Sequence, residues 1–294
     1  WNIKYYKGLG TSTPKEAKEY FKNMKMITYT NEEQTTETLD MAFNKKRAND
    51  RKQWLQSYNH SDVLDYNKNN VTYSDFVNKD LIHFSNSDLK RSIPCVFDGL
   101  KPSQRKVIFC AFKRNLTNKE IRVAQLSGYV SEHGAYHHGE ASLQGTIVNL
   151  AQNFVGSNNI NILDPIGQFG TRLLGGKDSA QPRYIHTKLT ELSQIIYNKL
   201  DNPVYKYLDD DGLSIEPEYY VPILPMILIN GCHGIGTGWS TDIPCYNPSD
   251  IINNIRRKML GHDMIEMVPW YRGFKGKIKK IDTHKFETYG SFER

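Results

Sequence analysis

Apolar positions along this chain fall into short blocks separated by polar stretches, and the spacing inside each block predicts its element. Leu143, Ile147, Leu150, Ala151 and Phe154 recur at helical spacing and predict a helix with one face in a core. Asp98-Gly99-Leu100-Lys101-Pro102 opens another helix. Pro102 suits its first turn, Val107, Ala111 and Phe112 face a core, and Arg105, Lys106 and Lys113 line other faces. Thr13-Pro14-Lys15-Glu16 has a capping residue, a proline at the first helical position and a glutamate at the third, and predicts a helix through Lys22. Residues 3–7 read as a short strand. Residues 36–57 are polar but helical in period, anchored by Leu39, Phe43 and Trp54, and 57–73 read as a loop or connector. Further on, 187–199 read as helix and 215–239 as strands bounded by Pro and Gly.

The longest apolar run, residues 221–229, is broken by Pro222 and Pro225 and is too short to cross a bilayer. With 294 residues, 38% of them hydrophobic and 12% aromatic, the chain can bury a core and is long enough for two domains. Trp1 is not a natural start, so the sequence reads as a piece of a longer protein. Cys95, Cys110, Cys232 and Cys245 are widely spaced, with no Cys-x-x-Cys pair, and read as buried free thiols of a reducing compartment.

Charge changes the picture more than composition does. Residues 90–122 hold nine basic side chains (Lys90, Arg91, Lys101, Arg105, Lys106, Lys113, Arg114, Lys119, Arg122) against Asp98 and Glu120. That surplus alone exceeds the net charge of +6 for the whole chain. A solvated helix face usually mixes signs, so the excess favours a polyanion; DNA, RNA and an acidic protein all stay open on charge alone. Several short helices, one basic and set before a β-rich loop bearing Tyr184, suit a helix-turn-helix or winged-helix DNA module.

The candidate chemistry lies in residues 175–185, where Arg183 stands beside Tyr184 behind a glycine-rich loop. A tyrosine hydroxyl can attack a phosphodiester and keep the phosphate as an ester, while the guanidinium holds the developing charge. Alone the pair proves little, because the chain has 18 tyrosines and most tyrosines are structural. Competing motifs fail on spacing. Gly170 to Asp178 has one residue too many before Lys177, and Asp where a P-loop needs Ser or Thr. Gly234, Gly236 and Gly238 lack the dinucleotide fingerprint, which leaves tight turns or close approach of backbone to a ligand. Asp209, Asp210 and Asp211 do not match an EF-hand loop and read as a solvated turn. His137 and His138 are adjacent, which suits one metal poorly, and serve either as hydrogen-bonding groups near a phosphate or as structural histidines. No metal ligands are assigned in this chain.

Taken together, these blocks carry a resemblance. Tyr-Tyr-Lys-Gly-Leu-Gly-Thr-Ser-Thr (5–13), Arg-Ser-Ile-Pro (91–94), Asp-Gly-Leu-Lys-Pro-Ser-Gln-Arg-Lys-Val (98–107) and Tyr-His-His-Gly-Glu (136–140) form the first half. Leu-Ala-Gln-Asn-Phe-Val-Gly-Ser-Asn-Asn (150–159), Gly-Gln-Phe-Gly-Thr-Arg (167–172), Pro-Arg-Tyr-Ile (182–185) and Asn-Gly-Cys-His-Gly-Ile-Gly-Thr-Gly-Trp-Ser (230–240) follow in family order. The chain resembles the DNA breakage-reunion region of eukaryotic-type type IIA DNA topoisomerases.

The resemblance implies an α+β fold: a TOPRIM tail over 1–35, a helical connector over 36–83, a winged-helix domain over 84–222 and the start of an α/β tower domain over 223–294. It implies a double-stranded DNA substrate, a homodimer in the full-length protein, a nuclear location and no membrane. Tyr184 would attack a backbone phosphate, join the 5′ end and release a 3′ hydroxyl, with Arg183 on the developing charge. His138, Arg91, Lys101, Arg105 and Lys106 would hold the strand, and Ile235 would be the wedge that bends the DNA. Mg2+ and ATP would be bound by residues outside this chain, so the fragment alone is expected to bind DNA and cleave it poorly. Three departures from the family pattern stand out: Cys232-His233 beside the wedge, Ser103 at the start of the basic helix, and Gln181 in place of a small residue. A non-catalytic DNA-bending module and a single-domain nuclease are the alternatives. The first has no need of the Arg183–Tyr184 pair, and the second would need metal carboxylates of its own.

Overall fold

The computed structural model describes residues 4, 9–283 and 285–292, and the chain divides into two compact units, Trp1–Asn86 and Ser87–Arg294. The strand expected over 3–7 lies, apart from Lys4, outside the described residues.

In the first unit, α1 (Pro14–Lys22) opens on the expected capping box: the Glu16 amide donates to Thr13 Oγ1 at 3.3 Å and the Thr13 amide to Glu16 Oε2 at 2.6 Å. There follow β1 (Thr28–Thr30), α2 (Thr35–Phe43), α3 (Ala48–Gln56), β2 (Asn70–Thr72), α4 (Tyr73–Phe76), a π-helical turn (Val77–Leu81) and α5 (Ile82–Ser92), within which the division between units falls. Two expectations are corrected. Phe43 is exposed, and Leu55, one position from Trp54, is the buried anchor. Part of the expected loop over 57–73 is a strand, since β2 pairs in parallel with β1, Tyr29 opposite Val71. Only Val71 in β2 is buried, so three residues of ladder give no period for sequence to read.

The second unit contains α6 (Pro102–Lys113), β3 (Ile121–Arg122), α7 (Val123–His133), α8 (Glu140–Ala151), β4 (His186–Thr187) and α9 (Glu191–Ile196). It continues through β5 (Tyr207–Asp210), β6 (Leu213–Pro217), α10 (Met226–Ile229), β7 (Cys232–Ile235), β8 (Ser240–Ile243), α11 (Pro248–Met259), β9 (Lys277–Lys280) and β10 (Phe286–Tyr289). Helices α6, α7 and α8 pack on one another. Val107, Ile108 and Ala111 of α6, Leu126 and Val130 of α7, and Leu143, Ile147 and Leu150 of α8 share one core. The predicted stripe of α8 is thus buried as far as Ala151, where the helix ends, and Phe154 lies beyond it, half-buried.

Among the described residues every sheet has two strands. β3 and β4 are antiparallel, with Arg122 opposite His186, and a bridge from Ile166 to His186 lengthens the pairing on the other side. β5–β6 is a hairpin whose tip, Asp211-Gly212, has positive φ at both residues, as a tight hairpin turn requires; of the three acids expected in a turn only Asp211 is there, while Asp209 and Asp210 pair in β5 with Ser214 and Leu213. The helix expected over 187–199 is shorter, because Thr190 caps α9 through a bond from the Ser193 amide at 3.1 Å. The strands expected over 215–239 are interrupted by α10, which begins directly after Pro225.

Candidate nucleic-acid interface

Tyr184 closes a turn that Gln181, Pro182 and Arg183 begin. Its amide donates to the Gln181 carbonyl at 2.9 Å, and Pro182 fixes the backbone at the second turn position. The turn is stapled to the start of α7 by bonds from the Ala124 amide to Pro182 O and from the Val123 amide to Ile185 O, both at 3.0 Å. Alternation then sets the side chains: Ile185 goes into the core at 2% exposure and Tyr184 stands out at 68%. Tyr197 and Tyr220 lie instead in the core, where burial pushes both hydroxyls well above the ordinary phenol range. The Arg183 guanidinium carbon lies 5.3 Å from the Tyr184 ring centroid. Its Nε donates to Gln181 Oε1 at 2.8 Å, so the departure at 181 has a structural role.

The loop ahead of this turn is held from below. Gln152, buried just past α8, donates through Nε2 to Phe169 O at 2.9 Å and to Gly176 O at 3.2 Å. Gly170 has φ of 97°, and a Cβ there would lie 2.6 Å from Gly176 Cα, so no other residue fits without moving the loop. Asp178 accepts from the Thr171 amide and hydroxyl, each at 2.8 Å, and these bonds hold its carboxyl below the usual range. The aspartate that rules out a P-loop thus closes this one. At its apex Leu173 and Leu174 are exposed.

The basic residues divide. Arg91 is exposed and pairs with Asp88 at 2.8 Å. Lys101 stands before α6, but its amide donates to Gln104 Oε1 at 2.8 Å and that of Leu100 to Asp98, so the helix start offers fewer free donors to a phosphate than its sequence suggests. Arg105 and Lys106 do not line outer faces. Arg105 is buried against Asp98, and Lys106 donates to Glu216 at 2.9 Å and to Gly134 O at 2.6 Å. A buried carboxylate facing each base draws its charge inward. Neither pairing is legible in the hydrophobic pattern, which records no partner for a base on a helix.

His138 is exposed on the loop between α7 and α8, its ring against Tyr136. Its neighbour His137 contacts Asp210 of the β5–β6 hairpin at 2.7 Å, which ties the loop to that hairpin. Ile235 is 67% exposed at the end of β7. The hairpin beneath it packs tightly on the segment after Arg91: a Cβ at Gly234 would lie 2.5 Å from Ser92 O. The structure therefore brings Ile235 near the Arg91–Pro94 stretch, and Arg183 against Tyr184. Of the departures next to the wedge, His233 on β7 is opposite Asp242 on β8, with Nδ1 3.8 Å from Oδ1, and the Cys232 thiol lies 3.6 Å from the Thr241 hydroxyl.

Comparison with known proteins bears on this geometry. The family profile for the A subunit of DNA gyrase/topoisomerase IV matches residues 91–294, and that for the C-terminal associated domain of TOPRIM matches 1–89. The chain is 54% identical over 294 residues to DNA topoisomerase 2 of Plasmodium falciparum, covering 99% of this chain and 21% of that protein. It is 51% identical over 310 residues to human DNA topoisomerase 2-alpha, covering 99% of this chain and 20% of that protein. It thus spans about a fifth of the length of these curated relatives. Its fold is similar to the crystal structure of the Plasmodium falciparum topoisomerase II DNA-binding, cleavage and re-ligation domain, with TM-score 0.81 and 52% identity, covering all of this chain and 40% of that one.

Proposed function

The chain belongs to the type II DNA topoisomerases of the eukaryotic kind, and on that footing we propose that it carries the nucleophile and much of the DNA gate of an ATP-dependent enzyme. The observation that carries the reading is Tyr184, exposed on a pinned turn with the Arg183 guanidinium beside its ring. The phenolic oxygen bonds the phosphorus, the bond from phosphorus to the 3′ oxygen breaks, and the phenolic proton ends on the 3′ hydroxyl. The 5′ end stays on Tyr184 as an ester that keeps most of the phosphodiester's free energy, so resealing needs no external energy. Arg183 offsets the charge that grows on the phosphate oxygens. His138, Arg91 and Lys101, all on the surface or half-buried, hold the scissile strand, and Ile235 enters the base stack and bends the duplex.

In this reading 84–222 form a winged-helix domain and 223–294 begin a tower domain, with 1–35 a TOPRIM tail and 36–83 a connector. Two copies in a nuclear homodimer cut one strand each and open a gate for a second duplex. Among the described residues no group of three or more His, Cys, Asp or Glu gathers as a metal site needs. On the family resemblance, Mg2+ and ATP are assigned to parts of the longer protein, and the chain by itself would bind DNA and cleave it poorly. Among the described residues no helix is long and apolar enough to cross a membrane.

The test is a denaturant-trapped adduct assay on the full-length protein carrying this chain, with Mg2+ and end-labelled duplex, beside its Tyr184→Phe variant. A 5′-linked adduct that vanishes in the variant is expected. Tight binding and bending of DNA without an adduct would favour a non-catalytic bending module.

A further inference from the structure

We infer that Gln181 is a positioning residue for Arg183, fixing the inner edge of its guanidinium so that the outer edge is presented to a DNA phosphate; the inference rests on the proposed cleavage at Tyr184. Gln181 Oε1 accepts from Arg183 Nε at 2.8 Å and from Nη2 at 2.5 Å. A guanidinium has five N–H donors in a rigid planar fork and no acceptor, so the amide oxygen, not its nitrogen, must face it. The two bonds use Nε–H and one hydrogen of Nη2. Both hydrogens of Nη1 and the second of Nη2 remain, and that edge is the one that takes two phosphate oxygens side by side.

Three features make this a fixed arrangement. The turn is closed by the bond from the Tyr184 amide to Gln181 O, so residues 181 and 183 keep their spacing. Pro182 removes backbone freedom between them. The guanidinium also lies beside the Tyr184 ring, so its plane is limited on a second side. The acceptor is a neutral amide. A carboxylate at this position would orient the fork equally well but cancel the charge that the phosphate needs. Gln181 therefore orients without neutralising. Without it, Arg183 would stand exposed on a long flexible stem and would have to lose that freedom on reaching the phosphate.

The test uses the full-length protein carrying this chain, with Gln181→Met, which keeps the length of the stem and removes the acceptor. Gln181 is exposed, so the change leaves the core untouched. Single-turnover adduct formation and duplex affinity are measured for wild type, Gln181→Met, Arg183→Lys and the double variant. Gln181→Met should form the adduct about fivefold more slowly, with duplex affinity little changed. In the Arg183→Lys background, where there is no fork to orient, the same change should have no further effect. An unchanged rate in Gln181→Met, or an equal loss in both backgrounds, overturns the inference while leaving cleavage by Tyr184 intact. Absence of any Tyr184-dependent adduct in the wild type overturns both.

Discussion

Arg105 and Asp98, seven residues apart, form a two-bonded ion pair inside the second unit, with Arg105 Nε 2.7 Å from Asp98 Oδ2 and Nη2 3.0 Å from Oδ1. The Leu100 and Tyr220 amides donate to the same carboxylate at 3.0 and 2.9 Å, so Asp98 joins the start of α6 to the segment after β6. Removing one partner leaves a buried charge without compensation. Arg105→Met is expected to lower unfolding stability by about 3–5 kcal/mol in a denaturant titration. The salt dependence of DNA binding by the folded variant should match wild type. A slope lower by about one phosphate contact, with stability unchanged, would instead put Arg105 on the DNA.

Gln152 acts at a distance from the reacting groups. Its Nε2 holds two carbonyls of the loop that leads to Arg183 and Tyr184. Gln152→Ala leaves those carbonyls unpaired in a buried place, and a loss of about 1–3 kcal/mol is expected on unfolding. Adduct formation in the full-length protein should fall more than DNA affinity does. Equal losses in the two would assign Gln152 to folding alone.

Ile235 is exposed and its hairpin is closed by the bond from the Gly236 amide to Trp239 O at 2.9 Å. Ile235→Ala should therefore leave thermal stability unchanged while reducing the bend of a bound duplex. Energy transfer between dyes at the duplex ends reads the bend directly, and a bend equal to wild type would remove the wedge role.

Burial pushes the thiol of Cys110 up to about 12 and that of Cys245 up to about 11, from an ordinary 9.0. Cys95 and Cys232 are only half-buried. With a thiol reagent near pH 8, Cys95 and Cys232 should react first, and Cys110 and Cys245 only after unfolding. The same shifts set a stability window. Both thiols hold their proton more tightly folded than unfolded, so their contribution is complete below pH 9 and is lost as the pH rises through about 11 and 12. Denaturation midpoints should fall above pH 9, and less steeply in Cys110→Ala. Early labelling of Cys110 in the native protein would show its burial to be wrong.

Sequence by itself determined the elements that rest on local chemistry. The capping box at Thr13, Pro102 at the start of α6, the stripe of α8 and the turn at Asp211-Gly212 each depend on residues within a few turns of one another, and all are present. The Arg183–Tyr184 pair was equally legible, since its members are adjacent. Tertiary structure alone decided what depends on partners far along the chain. Lys106 reads as a surface base until Glu216, 110 residues later, meets it in the core. Arg105 likewise turns inward to Asp98, although the period of α6 predicts the opposite for it. β1 and β2, three residues each, exist only because they find one another. The exposure of Tyr184 against the burial of Tyr197 and Tyr220 follows from which element or turn carries each ring. A hydrophobic pattern records that a residue can be buried or charged. Whether it is turned inward depends on the free energy of the complete set of neighbours, and only the folded chain assembles that set.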